Sequence, residues 1–137
     1  MISPENIVKA KKKKRIVIKV GTSSLTQPNG KVNIYFIDHL ARQISDLSNR
    51  DMDVILVSSG AIGVGLNHLN LPHRPKSIPE QQAVASVGQA ELMNLYTRFF
   101  SHYNQIVGQI LMTLDIVQFP ESRRNAVNAF EQLLKMG

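Results

Sequence analysis

Residues 15–24 read Arg15-Ile-Val-Ile-Lys-Val-Gly-Thr-Ser-Ser24, and residues 53–60 read Asp53-Val-Ile-Leu-Val-Ser-Ser-Gly60. In both stretches a short run rich in β-branched residues leads into a glycine and small hydroxyl residues. A continuous apolar run of this length is typical of a strand that is buried on both faces, as in a parallel sheet. The two stretches therefore predict two buried strands with polar turns at their carboxyl ends.

The rest of the chain alternates between helical and strand patterns. The spacing of apolar residues, capping residues and prolines predicts a loop at 21–31, helices at 33–49 and 61–69, and an irregular connection at 71–79. A long helix is predicted from the Ser77/Glu80 capping box to about His102. A third strand at 105–112, a short turn or helix at 115–120 and a last helix at 122–136 follow. The order β-α-β-α-α-β-α predicts an α/β fold in which helices cover both faces of a mainly parallel sheet, a three-layer α/β/α sandwich.

The net charge of +6 is concentrated at one end of the chain. Six of the sixteen basic residues lie between Lys9 and Arg15, whereas nine of the ten acidic residues follow Arg15. Residues 1–14 are therefore predicted to be a basic flexible tail, and 15–137 a nearly neutral domain. No aromatic residues are interleaved with the lysines to stack on bases, which disfavours nucleic-acid binding. A polyanion-binding arm is the weaker alternative.

The composition of the chain also indicates where the protein is located and which sites it lacks. No apolar run approaches the roughly 18 residues needed to cross a bilayer, and no early apolar stretch resembles a secretory signal. Cysteine is absent, which is compatible with a cytoplasmic protein and excludes thiolate chemistry. The four histidines lack the spacing of metal ligands, so no protein metal site is predicted.

The turn after the first predicted strand is a candidate phosphate site. Gly21 would let the backbone approach an anion, Thr22 and Ser23 add amides and hydroxyls, and Lys19 supplies a positive charge. A lysine within an apolar strand carries a desolvation cost, which favours an anionic partner. The alternative is an ordinary turn with Lys19 extending to water, and the residues alone leave both open.

The turn after the second predicted strand has the same character. Ser59, Gly60 and Ala61 lead into a helix whose glycines are spaced G-x-x-G-x-G. This is neither the dinucleotide fingerprint nor a P-loop, because the order of the glycines differs and no Gly-Lys-Ser or Gly-Lys-Thr follows. A helix start of this kind suits an anion, although the glycines could instead serve close helix packing.

Taken together, these segments resemble the amino acid kinase family. The resemblance covers residues 15–137 and rests on an ordered set of segments, which are 18–26, 57–65, 82–89 with Leu92-Met93, 108–113 and the altered Arg124-to-Asn128 region. The segment at 82–89 resembles the members that phosphorylate glutamate more than their siblings. The resemblance implies the substrate-side, amino-terminal part of an amino acid kinase domain.

What the resemblance implies can be stated residue by residue. Lys19 would act in catalysis and contact the ATP phosphates together with Gly21, Thr22 and Ser23, and Mg²⁺ would accompany ATP without an assigned protein ligand. Ser59, Gly60 and Ala61 would bind L-glutamate, whose side-chain carboxylate would be phosphorylated in the first step of proline synthesis. The family also implies a homo-oligomer with proline as a feedback inhibitor, whereas the charge pattern and the lack of a long apolar run predict no nucleic-acid or membrane partner.

Family members continue beyond the point where this chain stops. They add a further strand, an Asn-rich segment that completes glutamate binding and a nucleotide-binding half, so residues 1–137 alone are expected to lack kinase activity. Two alternatives remain open. The chain could belong to a sibling kinase acting on aspartate, N-acetylglutamate, carbamate or a nucleoside monophosphate. It could also be a truncated, non-catalytic module for binding or assembly.

Overall fold

The computed structural model describes residues 13–137, and most of the predicted basic tail at 1–14 lies outside these residues. Strand β1 is Arg15–Val20 and strand β2 is Asp53–Ser58. They pair in parallel, with Arg15 opposite Asp53 and Val20 opposite Ser58. Both predicted strands, their bounds and their parallel pairing are confirmed, and so is the α/β class.

Helices fill the connections between and after these strands. They are α1 (Thr22–Leu25), α2 (Ile34–Asn49), α3 (Ala61–His68), α4 (Ile78–Ser101), α5 (Leu114–Gln118) and α6 (Pro120–Met136). The side chains of Asn33 and Ser77 cap α2 and α4 by accepting hydrogen bonds from the amides of Phe36 and Glu80. Both predicted caps are confirmed, whereas the predicted loop at 21–31 contains the single-turn helix α1.

The core lies on one face of the sheet. Ile18 and Val20 of β1 and Val54 and Leu56 of β2 face it, and its buried members are Val20, Leu25, Ile37, Leu40, Ala41, Ile44, Val64, Leu92, Leu95, Tyr96 and Phe100. Most of them come from α2 and α4, because these helices present an apolar stripe to the sheet. On the other face Val17 and Val57 are 62% and 47% exposed, so no helix within residues 13–137 covers them.

Helices α3 and α4 cross at a pair of glycines. A methyl group on Gly88 would overlap the carbonyl oxygen of Ala61 and lie 2.7 Å from the backbone nitrogen of Gly65. A methyl group on Gly65 would in turn overlap the carbonyl oxygen of Val84. The two backbones are therefore in direct contact, and close helix packing is the role of Gly65.

The predicted third strand at 105–112 is wrong. Within the described residues, no backbone hydrogen bond involves residues 106–112, and Ile106 is 92% exposed. A strand is stable only when a neighbouring strand accepts its hydrogen bonds. Here Gly108 lies against Leu133 of α6. The predicted last helix is confirmed as α6, and Gly137 follows it with a φ of 97°, as a terminating glycine should.

Candidate functional site

The carboxyl ends of the two strands lie side by side. The amide of Ser59 donates a hydrogen bond to the carbonyl of Val20 over 3.2 Å. A methyl group on Gly60 would lie 3.5 Å from the Cα of Thr22, and one on Gly63 would lie 3.2 Å from the Cγ2 of Thr22. The turn after β1 and the start of α3 therefore form one continuous surface.

Two adjacent serines at the end of β2 face different ways. The hydroxyl of Ser58 lies 2.7 Å from that of Tyr96, which belongs to the buried face of α4. Burial raises the pKa of Tyr96, and the hydrogen bond with Ser58 partly opposes that shift. Ser59 instead lines a cavity. The hydroxyl of Ser58 thus ties the strand end to the core, whereas the hydroxyl of Ser59 lies 3.5 Å from the carbonyl oxygen of Val20 beside the cavity.

The start of α3 presents backbone donors. Gly60 precedes the helix with a φ of 108°, a left-handed conformation that glycine adopts without strain. The next three amides, those of residues 61–63, have no acceptor within the helix, because the first intrahelical bonds are made by later residues. Anions are favoured at such a position.

The cavity has a volume of about 380 Å³. Its lining comprises Thr22, Ser59, Gly60, Ala61, Ile62, Gly63, Arg74, Ala85 and Gln89. Arg74 is the charged member, and no carboxylate is among the lining residues. A lining that includes hydroxyl residues, a helix start and an arginine but no acidic residue suits an anionic ligand.

The structure brings together part of the predicted site. Thr22, Ser59, Gly60 and Ala61 all line the cavity, although they were chosen from two separate turns. Gly21, Ser23 and Lys19 do not line it. Their predicted roles toward ATP remain predictions.

Lys19 lies next to this region on a different surface. Its register partner is Val57, so it occupies the exposed face of the sheet, and its own side chain is exposed. No ion pair links Lys19 to another residue between 13 and 137. The lysine is thus available to an anion outside the cavity.

Two polar lining residues were not predicted as site residues. Gln89 belongs to the segment that carried the family resemblance, and the helical spacing of α4 places it beside Ala85. Arg74 lies in the irregular connection between α3 and α4, where no local pattern indicates a ligand. Only the path of the chain brings Arg74 to the cavity.

Residues 13–137 offer neither a metal-binding cluster nor a membrane-spanning helix. No group of three or more His, Cys, Asp or Glu side chains in this range could hold a metal ion. None of the helices in the same range is both long and apolar enough to span a bilayer.

Comparisons with known proteins identify the family of this chain. The model of the amino acid kinase family matches residues 14–137, and the chain belongs to this family. Among its curated relatives it is 64% identical over 128 residues to the glutamate 5-kinase of Enterococcus faecalis, covering 93% of this chain and 47% of that protein. It is 59% identical over 127 residues to the glutamate 5-kinase of Listeria monocytogenes, covering 93% of this chain and 46% of the relative. The chain thus spans about half the length of these relatives.

Proposed function

We propose that this chain forms the acceptor-binding part of a glutamate 5-kinase, which transfers the γ-phosphate of ATP to the side-chain carboxylate of L-glutamate in the first step of proline synthesis. The proposal depends on the cavity at the two strand ends. Thr22 from one turn lines it together with Ser59 and Gly60 from the other, and its lining includes one arginine and no acidic residue. The names of the similar proteins support glutamate as the acceptor.

The chemistry fits a site without a general base. The side-chain carboxyl of glutamate has a reference pKa of about 4.3, so at neutral pH it is already an anionic nucleophile. Phosphoryl transfer then depends on positioning and on electrostatic stabilisation. The Ser59 hydroxyl and the amides of residues 61–63 are suited to hold and orient such a carboxylate, and Thr22 borders the same space.

The phosphate side of the reaction is proposed for the turn after β1. A methyl group on Gly21 would meet no atom within 4 Å, so a phosphate has room to approach the backbone there. Thr22 and Ser23 follow with hydroxyls and amides, and the Lys19 ammonium would neutralise charge on the phosphates. Bound ATP supplies the phosphoryl group, and Mg²⁺ would accompany it without a ligand from residues 13–137.

We further propose that residues 1–137 alone lack kinase activity. The chain spans under half of its relatives, and Val17 and Val57 leave one face of the sheet uncovered. The complete enzyme is proposed to be a cytoplasmic homo-oligomer, with proline as a candidate feedback inhibitor. A non-catalytic binding or assembly module is the second candidate, favoured by the same exposed sheet face.

The test is acyl phosphate formation, trapped as hydroxamate. Residues 1–137 mixed with ATP, Mg²⁺ and L-glutamate should give no more hydroxamate than a Lys19→Ala variant. The same residues joined to the carboxy-terminal half of the Enterococcus faecalis relative should give hydroxamate. An inactive joined protein that binds neither substrate would contradict the proposal, and one that prefers aspartate or N-acetylglutamate would favour a sibling kinase.

Variants of the joined protein separate the proposed roles. Lys19→Ala should lower kcat by about 10²- to 10³-fold, the usual effect of removing one electrostatic contact to the transition state. Ser59→Ala should mainly raise KM for glutamate. Ser101→Ala, which changes an exposed serine at the end of α4, is the matched control and should change neither value.

A further inference from the structure

We infer that Arg74 is a specificity-determining residue of the acceptor site and holds the carboxylate of the substrate that is not phosphorylated. This inference rests on the proposed function, since it assigns a second anionic group to the same ligand. Neither the sequence pattern nor the resemblance pointed to Arg74. The inference depends on the position of Arg74, which lines a cavity that no acidic residue lines.

The connection that bears Arg74 is anchored to α4. The side-chain amide of Gln81 donates a hydrogen bond to the carbonyl of Pro75 over 3.0 Å. Ser77 caps the same helix two residues further on. Pro72 and Pro75 flank the arginine and restrict the backbone on both sides of it. The guanidinium is therefore carried by a segment of limited freedom beside the cavity.

The charge of Arg74 is not used elsewhere in the described part of the chain. Arg15, Arg42 and Arg50 each pair with a carboxylate, whereas no ion pair joins Arg74 to any residue from 13 to 137. No carboxylate lines the cavity either. Arg74 lines this space, and its guanidinium has the planar geometry that pairs with the two oxygens of a carboxylate ligand.

The chemistry decides which carboxylate Arg74 would bind. The reacting carboxylate must keep a lone pair free to attack phosphorus, and a bidentate guanidinium pair would occupy both of its oxygens and lower its nucleophilicity. The α-carboxylate of glutamate undergoes no reaction, so it can be paired without loss of reactivity. Ser59 and Gly60 are then left for the side-chain carboxylate, and Thr22 of the phosphate turn borders the same space.

This assignment predicts selectivity for acceptors with two carboxylates. γ-Aminobutyrate keeps the reacting carboxylate and the amino group of glutamate but lacks the α-carboxylate. Hydrogen bonds to charged groups are among the stronger ones in proteins, although Arg74 is exposed and its interaction is screened by water. We expect glutamate to bind about tenfold more tightly than γ-aminobutyrate, at the lower end of the range for charged pairs.

The experiment titrates the ¹⁵N-labelled full chain with each of the two ligands and follows amide shifts to obtain dissociation constants. It compares the original chain with Arg74→Gln and with Arg98→Gln, an exposed arginine of α4 that does not line the cavity. Arg74→Gln should weaken glutamate binding about tenfold, leave γ-aminobutyrate binding unchanged and so remove the preference. Arg98→Gln should keep the preference, and unperturbed spectra of both variants show that they fold.

The outcomes separate the two levels of the argument. If the original chain prefers glutamate and Arg74→Gln keeps that preference, or if the original chain binds both ligands equally, the assignment of Arg74 is overturned while glutamate binding stands. If neither the original chain nor the same residues joined to the carboxy-terminal half of the Enterococcus faecalis relative bind either ligand, the glutamate site itself is refuted, and the role of Arg74 with it.

Discussion

Replacing Gly88 with alanine tests the packing that shapes the cavity. The added methyl group would overlap the carbonyl oxygen of Ala61, so α3 and α4 must separate by roughly 1 Å or more to restore a normal contact. Overpacking of this kind costs about 1–3 kcal/mol, and both obstructing groups are backbone, which cannot rotate away. Alanine returns about 1 kcal/mol through its higher helix propensity. Because the obstructing atoms are backbone, the upper end of that cost, about 3 kcal/mol, applies, and the free energy of unfolding should fall by about 2 kcal/mol.

Urea denaturation followed by circular dichroism measures this change. With a slope of about 2 kcal/mol per molar urea, the midpoint of Gly88→Ala should fall by about 1 M. Gly63→Ala is the matched control, because Gly63 is also within a helix and its nearest neighbour is the side-chain methyl of Thr22 at 3.2 Å. It should be neutral or slightly stabilising. Equal midpoints for Gly88→Ala and the original chain would refute the packing argument.

Three other predictions concern single residues. Tyr96→Phe removes the hydrogen bond to Ser58 and should lower the free energy of unfolding by about 1 kcal/mol in urea denaturation at pH 7. Because burial raises the pKa of Tyr96, the neutral phenol stabilises the fold fully below the unfolded pKa of 10.0, and this stabilisation is lost as the pH rises above it. Between pH 9 and 11 the free energy of unfolding of the original chain should therefore fall more than that of Tyr96→Phe. Parallel plots of the free energy of unfolding against pH would contradict this. Asn33→Ala should cost about 1 kcal/mol through loss of the cap on the Phe36 amide, whereas Asn33→Asp should cost little, and equal midpoints for the two variants would argue against the cap. For Lys19→Ala in the joined protein, unchanged kcat would remove its proposed role at the phosphates.

The sequence was informative where structure depends on local pattern. Both strands were predicted with the observed bounds, because a β-branched run followed by glycine marks where a strand ends. The caps at Asn33 and Ser77 could also be predicted from the sequence, because each depends on a side chain and an amide only three residues apart. The turns that carry Thr22 and Ser59 both line the cavity because strands that pair in parallel end at the same edge of a sheet.

The features that the sequence did not predict correctly depend on contacts between distant parts of the chain. Residues 105–112 have the composition of a strand, but pairing requires a neighbour, and within the described chain this segment lies against α6 instead. Arg74 reaches the cavity through the path of an irregular connection, which no periodicity describes. The role of Gly88 also depends on a contact with another helix, so its sequence context alone could not indicate it.

The cavity at the two strand ends is best examined by mapping amide shifts in the ¹⁵N-labelled joined protein saturated with L-glutamate. We expect saturable changes concentrated at Thr22 and at residues 59–63, with Gln89 responding from the facing helix and residues of α6 unaffected. A spectrum that does not change, or changes confined to residues remote from both turns, would contradict the account.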